Sequence, residues 1–328
     1  MSAPCEIPNL YVEVPRLIAQ VPCGRVTTYG DLAEALGSLA AARWVGSFLL
    51  DHPHDEHCRC HRVLRRTGEP GRYISGDQSE KLRRLQDEGI EIDSGRIDLE
   101  RFGFDRFTTH RPLETLADFQ NTLPERIVTE PYPALPELVA GVDISYPTPR
   151  EAVAAYVLID SASGQMVWSL TARQPVTFPY IPGFLSFRES PLMLELLRQA
   201  ESQGRSAEVV FVDGNGILHP RRAGIASHLG VLAGVRTIGV GKKLLCGRVD
   251  LEDMTAHDSR AVVTDTGEVI GMAVKSRATS RPVFVSPGHR IDVTAAVRLA
   301  RASFRRHRVP EPIYWADRVS RHPQNVSP

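Results

Sequence analysis

Three carboxylates stand within or at the ends of runs that are otherwise apolar or aromatic, and this constrains the chain more than any other feature. Asp143 lies in Leu-Val-Ala-Gly-Val-Asp-Ile-Ser-Tyr. Glu189 closes Pro-Tyr-Ile-Pro-Gly-Phe-Leu-Ser-Phe-Arg-Glu. Asp213 follows Val-Val-Phe-Val and precedes Gly-Asn-Gly-Ile-Leu-His-Pro. An isolated charge at the end of a core strand is costly to desolvate. Three that converge are tolerable when a divalent cation neutralises them, and hard oxygen ligands suit Mg²⁺, with Mn²⁺ as a substitute. Such a cluster commonly performs phosphoryl-transfer chemistry. For any one carboxylate the plainer reading is a capped strand end; three in these contexts favour the metal.

The chain has 328 residues, enough for two domains. Its 39 basic and 39 acidic residues cancel, which argues against nonspecific coating of nucleic acid. A local basic groove stays possible, because the field depends on how charge is distributed. Arg298, Arg301, Arg305, Arg306 and Arg308 form one such stretch. The five cysteines make no even disulfide framework, and no basic segment followed by an apolar one opens the chain. The expectation is reduced thiols in a cytoplasmic protein, without a membrane span.

Element signals divide the chain. In the first part, Tyr11–Val21 is helical in pattern. Thr28-Tyr-Gly-Asp31 has capping-box spacing and starts a helix that stops at Gly37. Ser38 is placed to cap a third helix carrying Arg43, Val45, Phe48 and Leu49, and Lys81–Glu88 reads as a fourth. Two short helices around a glycine turn suggest a helix-turn-helix, a pattern shared by hairpins that bind no nucleic acid. From Leu138 the chain reads as three consecutive strands, 138–146, 152–160 and 165–172. Helices at 190–200 and 220–232 then alternate with strands at 208–212, 237–240, 269–273 and 283–285. The last helix starts near Val293. The expected fold class is α/β in two domains, a small helical one before a mixed-sheet one. The boundary lies near Thr108: residues 1–107, a linker over 108–112, and residues 113–328.

The motifs of the second part resemble endonuclease V. They are Gly-Val-Asp143, the 179–189 segment, Asp213-Gly-Asn-Gly-Ile-Leu-His219-Pro-Arg-Arg, Gly-Val-Gly-Lys242-Lys, Ser286-Pro-Gly-His289-Arg and Val309-Pro-Glu-Pro. The resemblance covers about residues 113–322. It implies an RNase H-like fold and Mg²⁺-dependent cleavage of the second phosphodiester 3′ to deoxyinosine and related deaminated purines in double-stranded DNA. Asp143, Glu189 and Asp213 would hold the metal. Lys242 would stabilise the phosphate in the transition state, and His219 and His289 would position water or substrate. A solvated lysine and a structural histidine are the plainer readings of Lys242 and His289. Tyr180 and Ile181, stiffened by Pro182 and followed by Gly183, would form a wedge that unstacks the lesion for base flipping. Gly214 and Gly216 would let the backbone approach the extruded base. A proline-rich turn packed on the core is the plainer reading of the wedge.

The first part resembles the C-terminal domain of O6-alkylguanine-DNA alkyltransferase through Val26-Thr-Thr-Tyr29-Gly-Asp-Leu-Ala, Ala42-Arg43-Trp-Val-Gly and Cys60-His61-Arg62-Val63. Its closing segment, Gly95-Arg-Ile-Asp-Leu-Glu-Arg-Phe-Gly103, is closer to the alkyltransferase-like proteins. The resemblance implies that Cys60 is the alkyl acceptor, with His61 and Glu88 as its activating pair. Tyr29 would press on the target phosphate, Arg43 would fill the gap left by the flipped guanine, and Ser75 and Lys81 would line the pocket. Arg59 replaces the family's proline before the cysteine, and His52 replaces its loop-ordering asparagine. Lesion sensing without transfer, or a nuclease acting on inosine-containing RNA, are the alternatives. The segment from His52 to His61 is also dense in metal ligands. Its His-x-His and Cys-x-Cys spacings crowd a tetrahedral site, and no remote second pair is evident. The implied state is a monomeric DNA repair protein.

Overall fold

The computed structural model describes residues 6–55 and 57–323. It divides into two compact units. The smaller runs to Asp118 and includes Phe178–Phe184; the larger takes Phe119–Thr177 and the chain from Leu185 onward.

The smaller unit is helical. Helix α1 (Leu10–Ala19) is capped by the Asn9 side chain and buries Leu10, Val14, Leu17 and Ile18, with Pro15 inside it. After the two-residue strand β1 (Thr27–Thr28), α2 (Tyr29–Ala35) opens with both halves of its capping box, Thr28 Oγ1 to the Asp31 amide and the Asp31 carboxylate to the Thr28 amide. Gly37 ends the turn at φ +99°, where a Cβ would strike the Glu114 backbone. Ser38 makes no side-chain cap. A single 3₁₀ turn, Leu39–Ala41, leads instead into α3 (Ala42–Phe48). Strand β2 (Val63–Leu64) pairs in parallel with β1. Helix α4 (Gln78–Asp87) starts three residues earlier than its apolar pattern suggests, because Asp77 caps it. The short α5 (Leu99–Phe102) follows, and α6 (Pro112–Thr122) contains the division between the units.

The larger unit is built on one eight-stranded sheet in the order β5-β4-β3-β6-β7-β10-β9-β8. Strands β3 (Leu138–Thr148), β4 (Glu151–Asp160) and β5 (Met166–Pro175) form an antiparallel meander. Helix α7 (Leu185–Ser202) leads to β6 (Val209–Asp213), and α8 (Ile225–Ala233) leads to β7 (Arg236–Gly241). Strands β3, β6 and β7 run parallel at the centre. Strands β8 (Ser259–Val263), β9 (Val269–Val274) and β10 (Val283–His289) close the sheet in antiparallel fashion. Sequence pattern had given no strand at β8 and only one helix after β10. Two helices follow, α9 (Val293–Ala302) and α10 (Glu311–Arg321).

Strand alternation sends neighbouring residues to opposite faces. Val139, Phe211, Ile238 and Val240 pack with Ala296, Ile313 and Val319 on the α9–α10 face. Ala140, Val142, Val210 and Val212 pack with Leu192, Met193 and Leu229 on the α7–α8 face. The result is a three-layer α/β/α unit with a core on each face of the sheet.

Candidate active site and DNA-binding domain

Periodicity puts the first carboxylates together. Asp143 and Asp213 have the parity of Val139 and Phe211, so both face α9–α10. The register aligns Val142 with Val212 and Asp213 with Val240. The carboxylates therefore lie side by side on one face, Asp213 at the end of β6 and Asp143 just past the last β3–β6 pair, at the end of β6 where open α/β sheets place their ligands. Lys242 follows β7 with the parity of Val240 and joins them.

Helix α10 supplies a third carboxylate, Asp317, that sequence reasoning missed. A Cβ at Gly141 would lie 2.0 Å from the Pro312 carbonyl oxygen, so only glycine lets α10 rest on β3. Further along the same edge, Ser145 Oγ donates to the Ser320 carbonyl at 2.7 Å. Between these anchor points Asp317 comes over Asp143. Oxygens of Asp143, Asp213 and Asp317 all lie within 4.8 Å of one another, a set that could hold a metal ion. The Lys242 ammonium donates to Asp213 and stands 4.0 Å from Asp317 Oδ1.

Electrostatics match that geometry. Burial, then the charges of Asp213 and Asp317, push Asp143 well above the usual carboxylate range, with Lys242 pulling the other way. Burial works against the Lys242 charge, but Asp213, Asp143 and Asp317 raise its pKa overall. Clustered carboxylates that penalise one another's ionisation, with one ammonium shared among them, fit a hard divalent cation.

In the smaller unit, Cys60 opens a one-turn 3₁₀ helix and is buried. His61 Nε2 donates to Glu88 at 2.7 Å, and the Arg62 guanidinium forks onto the same carboxylate at 2.7–3.0 Å. Burial works against the Glu88 charge, yet Arg62 and His61 hold its pKa down. Burial also lowers His61, so the ion pair is Arg62–Glu88 and His61 is its neutral partner. The neighbours of the Cys60 thiol are instead Cys58 and His54, with His54 Nδ1 at 3.6 Å. Its hydrogen bond to Cys58 and then burial push Cys60 up, while the same bond holds Cys58 down to about 3. Lys81, fully buried, donates to the Val63 and Pro70 carbonyls, and burial lowers it to about 8. Arg59 turns away to the Ala19 carbonyl at the end of α1.

A family model described as Endonuclease V matches residues 121–318, more than half of the chain. The chain belongs to the endonuclease V family. A model described as the DNA-binding domain of 6-O-methylguanine DNA methyltransferase matches residues 9–90. A bifunctional methyltransferase/endonuclease from Picrophilus torridus is 33% identical over 294 residues, spanning 89% of this chain and 90% of that protein. The catalytic domain of human endonuclease V aligns with TM-score 0.60 at 35% identity, over 65% of this chain and 96% of its own. Endonuclease V from Ciona intestinalis, solved with a 24mer DNA containing an inosine followed by a ribo-adenosine, aligns at TM-score 0.58 and 28% identity, over 64% and 96%. The chain therefore joins a nuclease to an alkyltransferase-type DNA-binding domain, in the service of DNA repair.

Within the endonuclease V unit several expected residues stand elsewhere. Glu189 lies on α7, outside the 4.8 Å group; Tyr146 donates to it at 2.9 Å, and Arg188 stacks on that tyrosine. Burial raises Glu189 to about 7, with Asp213 adding to the effect. His289 pairs with Thr237, three residues down β7 from Val240, so it sits about 10 Å from the carboxylate level. Its Nδ1 accepts from the Val128 amide. His219 is buried, accepts from the Arg221 amide through Nδ1, and is lowered to about 4 by burial.

The Gly214–Gly216 loop uses its glycines for internal packing. A Cβ at Gly216 would lie 2.0 Å from the Pro287 oxygen, and one at Gly214 would meet Ile225. Tyr180 is 62% exposed, and Pro182 and Gly183 are exposed beside it, but Ile181 is fully buried. Of the two side chains expected to form the wedge, Tyr180 is the one that faces solvent.

The alkyltransferase-type unit shows a similar mixture. Tyr29 begins α2, half-buried, with its hydroxyl beside Gly71 and its ring against Gly46. Arg43 is exposed on α3, and Ser75 is exposed in a turn where it accepts from the Asp77 amide. Lys81 braces the chain behind Cys60.

Proposed function

We propose that the larger unit cleaves double-stranded DNA at the second phosphodiester 3′ to deoxyinosine and related deaminated purines, using Mg²⁺. One observation carries this reading: three carboxylates and one ammonium converge at the carboxyl ends of the central parallel strands. Asp143, Asp213 and Asp317 would hold the ion, which supplies charge neutralisation at the phosphate and a lowered pKa for attacking water. Lys242 adds a cation beside the developing phosphate charge. Glu189, buried on α7, acts as an outer carboxylate, and Tyr180 enters the base stack next to the lesion. Nicking of a duplex with one deoxyinosine tests this. Wild type with Mg²⁺ gives one nick at the stated position. Chelation stops it, and Asp213→Ala abolishes cutting while binding stays measurable. Full cutting by Asp213→Ala overturns the assignment.

We further propose that residues 1–107 recognise O6-alkylguanine and transfer the alkyl group to Cys60. The thiol of Cys60, buried at the position that matches the acceptor of the alkyltransferases, favours transfer over sensing alone. The Cys60 sulfur forms the new bond to the alkyl carbon as the O6–carbon bond breaks, and the purine leaves as guanine once O6 or its ring is protonated. Incubation with O6-methylguanine DNA adds one methyl to Cys60, read by mass spectrometry. Binding without an adduct supports the sensor reading instead.

A further inference from the structure

The segment around Cys60 folds back on itself. The Asp55 side chain accepts from the His57 amide and its carbonyl from the Cys58 amide, a turn that brings His-x-His to face Cys-x-Cys. Ligand atoms of His52, His54, Cys58 and Cys60 then all lie within 4.8 Å of one another. Sequence spacing had argued against this, since it offers no remote second pair. The turn makes the two short pairs each other's partners.

From this arrangement we infer that the smaller unit holds a Zn²⁺ ion through His52 Nε2, His54 Nδ1, Cys58 Sγ and Cys60 Sγ. Tetrahedral zinc, with bonds of about 2.3 Å to sulfur and about 2.0 Å to nitrogen, sets its ligands about 3.3–3.8 Å apart. The contacts here are 3.0 Å for His52 Nε2 to Cys58 and 3.6 Å for His54 Nδ1 to Cys60, and every other pair lies within 4.8 Å. Two thiolates and two imidazoles select zinc over the hard cations suited to the carboxylate site.

A second observation supports the same site. His52 Nδ1 lies 3.2 Å from the Leu49 carbonyl, which can only accept, so that nitrogen carries the proton. Nε2 is left with its lone pair aimed at Cys58, the outer-sphere arrangement that orients ligand histidines at metal centres. The rings are also fixed: Phe48 packs on His52, His52 on His54, and His54 on Tyr73, at centroid distances of 5.5, 5.6 and 6.0 Å. His52 and Cys60 are buried, while His54 is exposed and gives the ion a way in. The site does not depend on Cys60 being an alkyl acceptor.

The full chain, stripped of metal and kept reduced, is titrated with Co²⁺, and the near-ultraviolet thiolate-to-cobalt charge-transfer band is followed. The carboxylate site gives no such band, so the two sites are distinguished. The expected result is one thiolate-bound Co²⁺ per chain, displaced by Zn²⁺. Cys58→Ser roughly halves the band, and His54→Ala keeps it while weakening Co²⁺ binding more than about tenfold. Absence of the band in folded wild type, or an undiminished band in Cys58→Ser, overturns the site. Should Cys58→Ser fail to fold, the wild-type titration and His54→Ala decide alone.

Discussion

Charge buried without compensation is visible in sequence, whereas charge on a polar face is not. Asp143 and Asp213 were legible because each interrupts an apolar strand. Asp317 was not, because Arg318 and Arg321 beside it make its helix look solvated on that side. Geometry gives it equal standing, so Asp317→Asn should lower deoxyinosine nicking at least about 100-fold, as loss of a preorganised charged group in a site commonly does. Its unfolding midpoint should stay near that of wild type, because one of three mutually repelling carboxylates is removed. Nicking within twofold of wild type would remove Asp317 from the site. His228 offers a separate test of burial. It packs between Phe119 and Phe187, and burial lowers it to about 4. Between about pH 6.5 and 4 the unfolded chain binds a proton that the folded chain refuses. Stability from this residue is therefore intact above pH 6.5 and lost as pH falls, by up to about 3 kcal/mol. Denaturant melts should show a shallower acid loss in His228→Phe; an unchanged slope would contradict the cause. His219, lowered in the same way, keeps part of the slope.

At the scale of elements, alternation and caps located most strands and helices, and the failures have physical reasons. Helix α10 was hidden by Pro310 and Pro312, which read as breakers. They occupy the cap and the first turn, where the missing amide costs nothing. Strand β8 is an edge with little alternation, and β10 runs four residues past its apolar stretch through Ser286-Pro-Gly-His289. The glycines of 214–216 were legible as a close approach, but what they approach, Ile225 of α8 at Gly214 and Pro287 of β10 at Gly216, no local pattern reveals. The seat of α10 on Gly141 yields a prediction of its own. Gly141→Ala should push α10 off β3, destabilise the larger unit by about 1–3 kcal/mol, and weaken nicking through displacement of Asp317. Thermal melts and nicking rates check both effects. A stable, fully active Gly141→Ala would show that the contact does not position the carboxylate.

Across the whole molecule, the two-part organisation was legible from the change in element pattern and from two separate motif sets. The compact units of the structure divide at Asp118, inside the continuous helix α6, where composition offers no break. The groups proposed to do chemistry come from one unit in each case: Asp143, Asp213, Lys242 and Asp317 from the larger, and Cys60, His61, Lys81 and Glu88 from the smaller. The two chemistries should therefore be separable in the intact chain. Cys60→Ser should abolish methyl uptake yet nick deoxyinosine DNA at the wild-type rate, and Asp213→Ala should do the reverse. Parallel loss of both activities in either variant would show coupling between the units. The central claim, that Asp143, Asp213 and Asp317 together hold a catalytic divalent ion, is tested most directly by anomalous diffraction from crystals grown with Mn²⁺. The account predicts a manganese peak in coordination range of all three carboxylates; a peak elsewhere, or none with the site open to solvent, would contradict it.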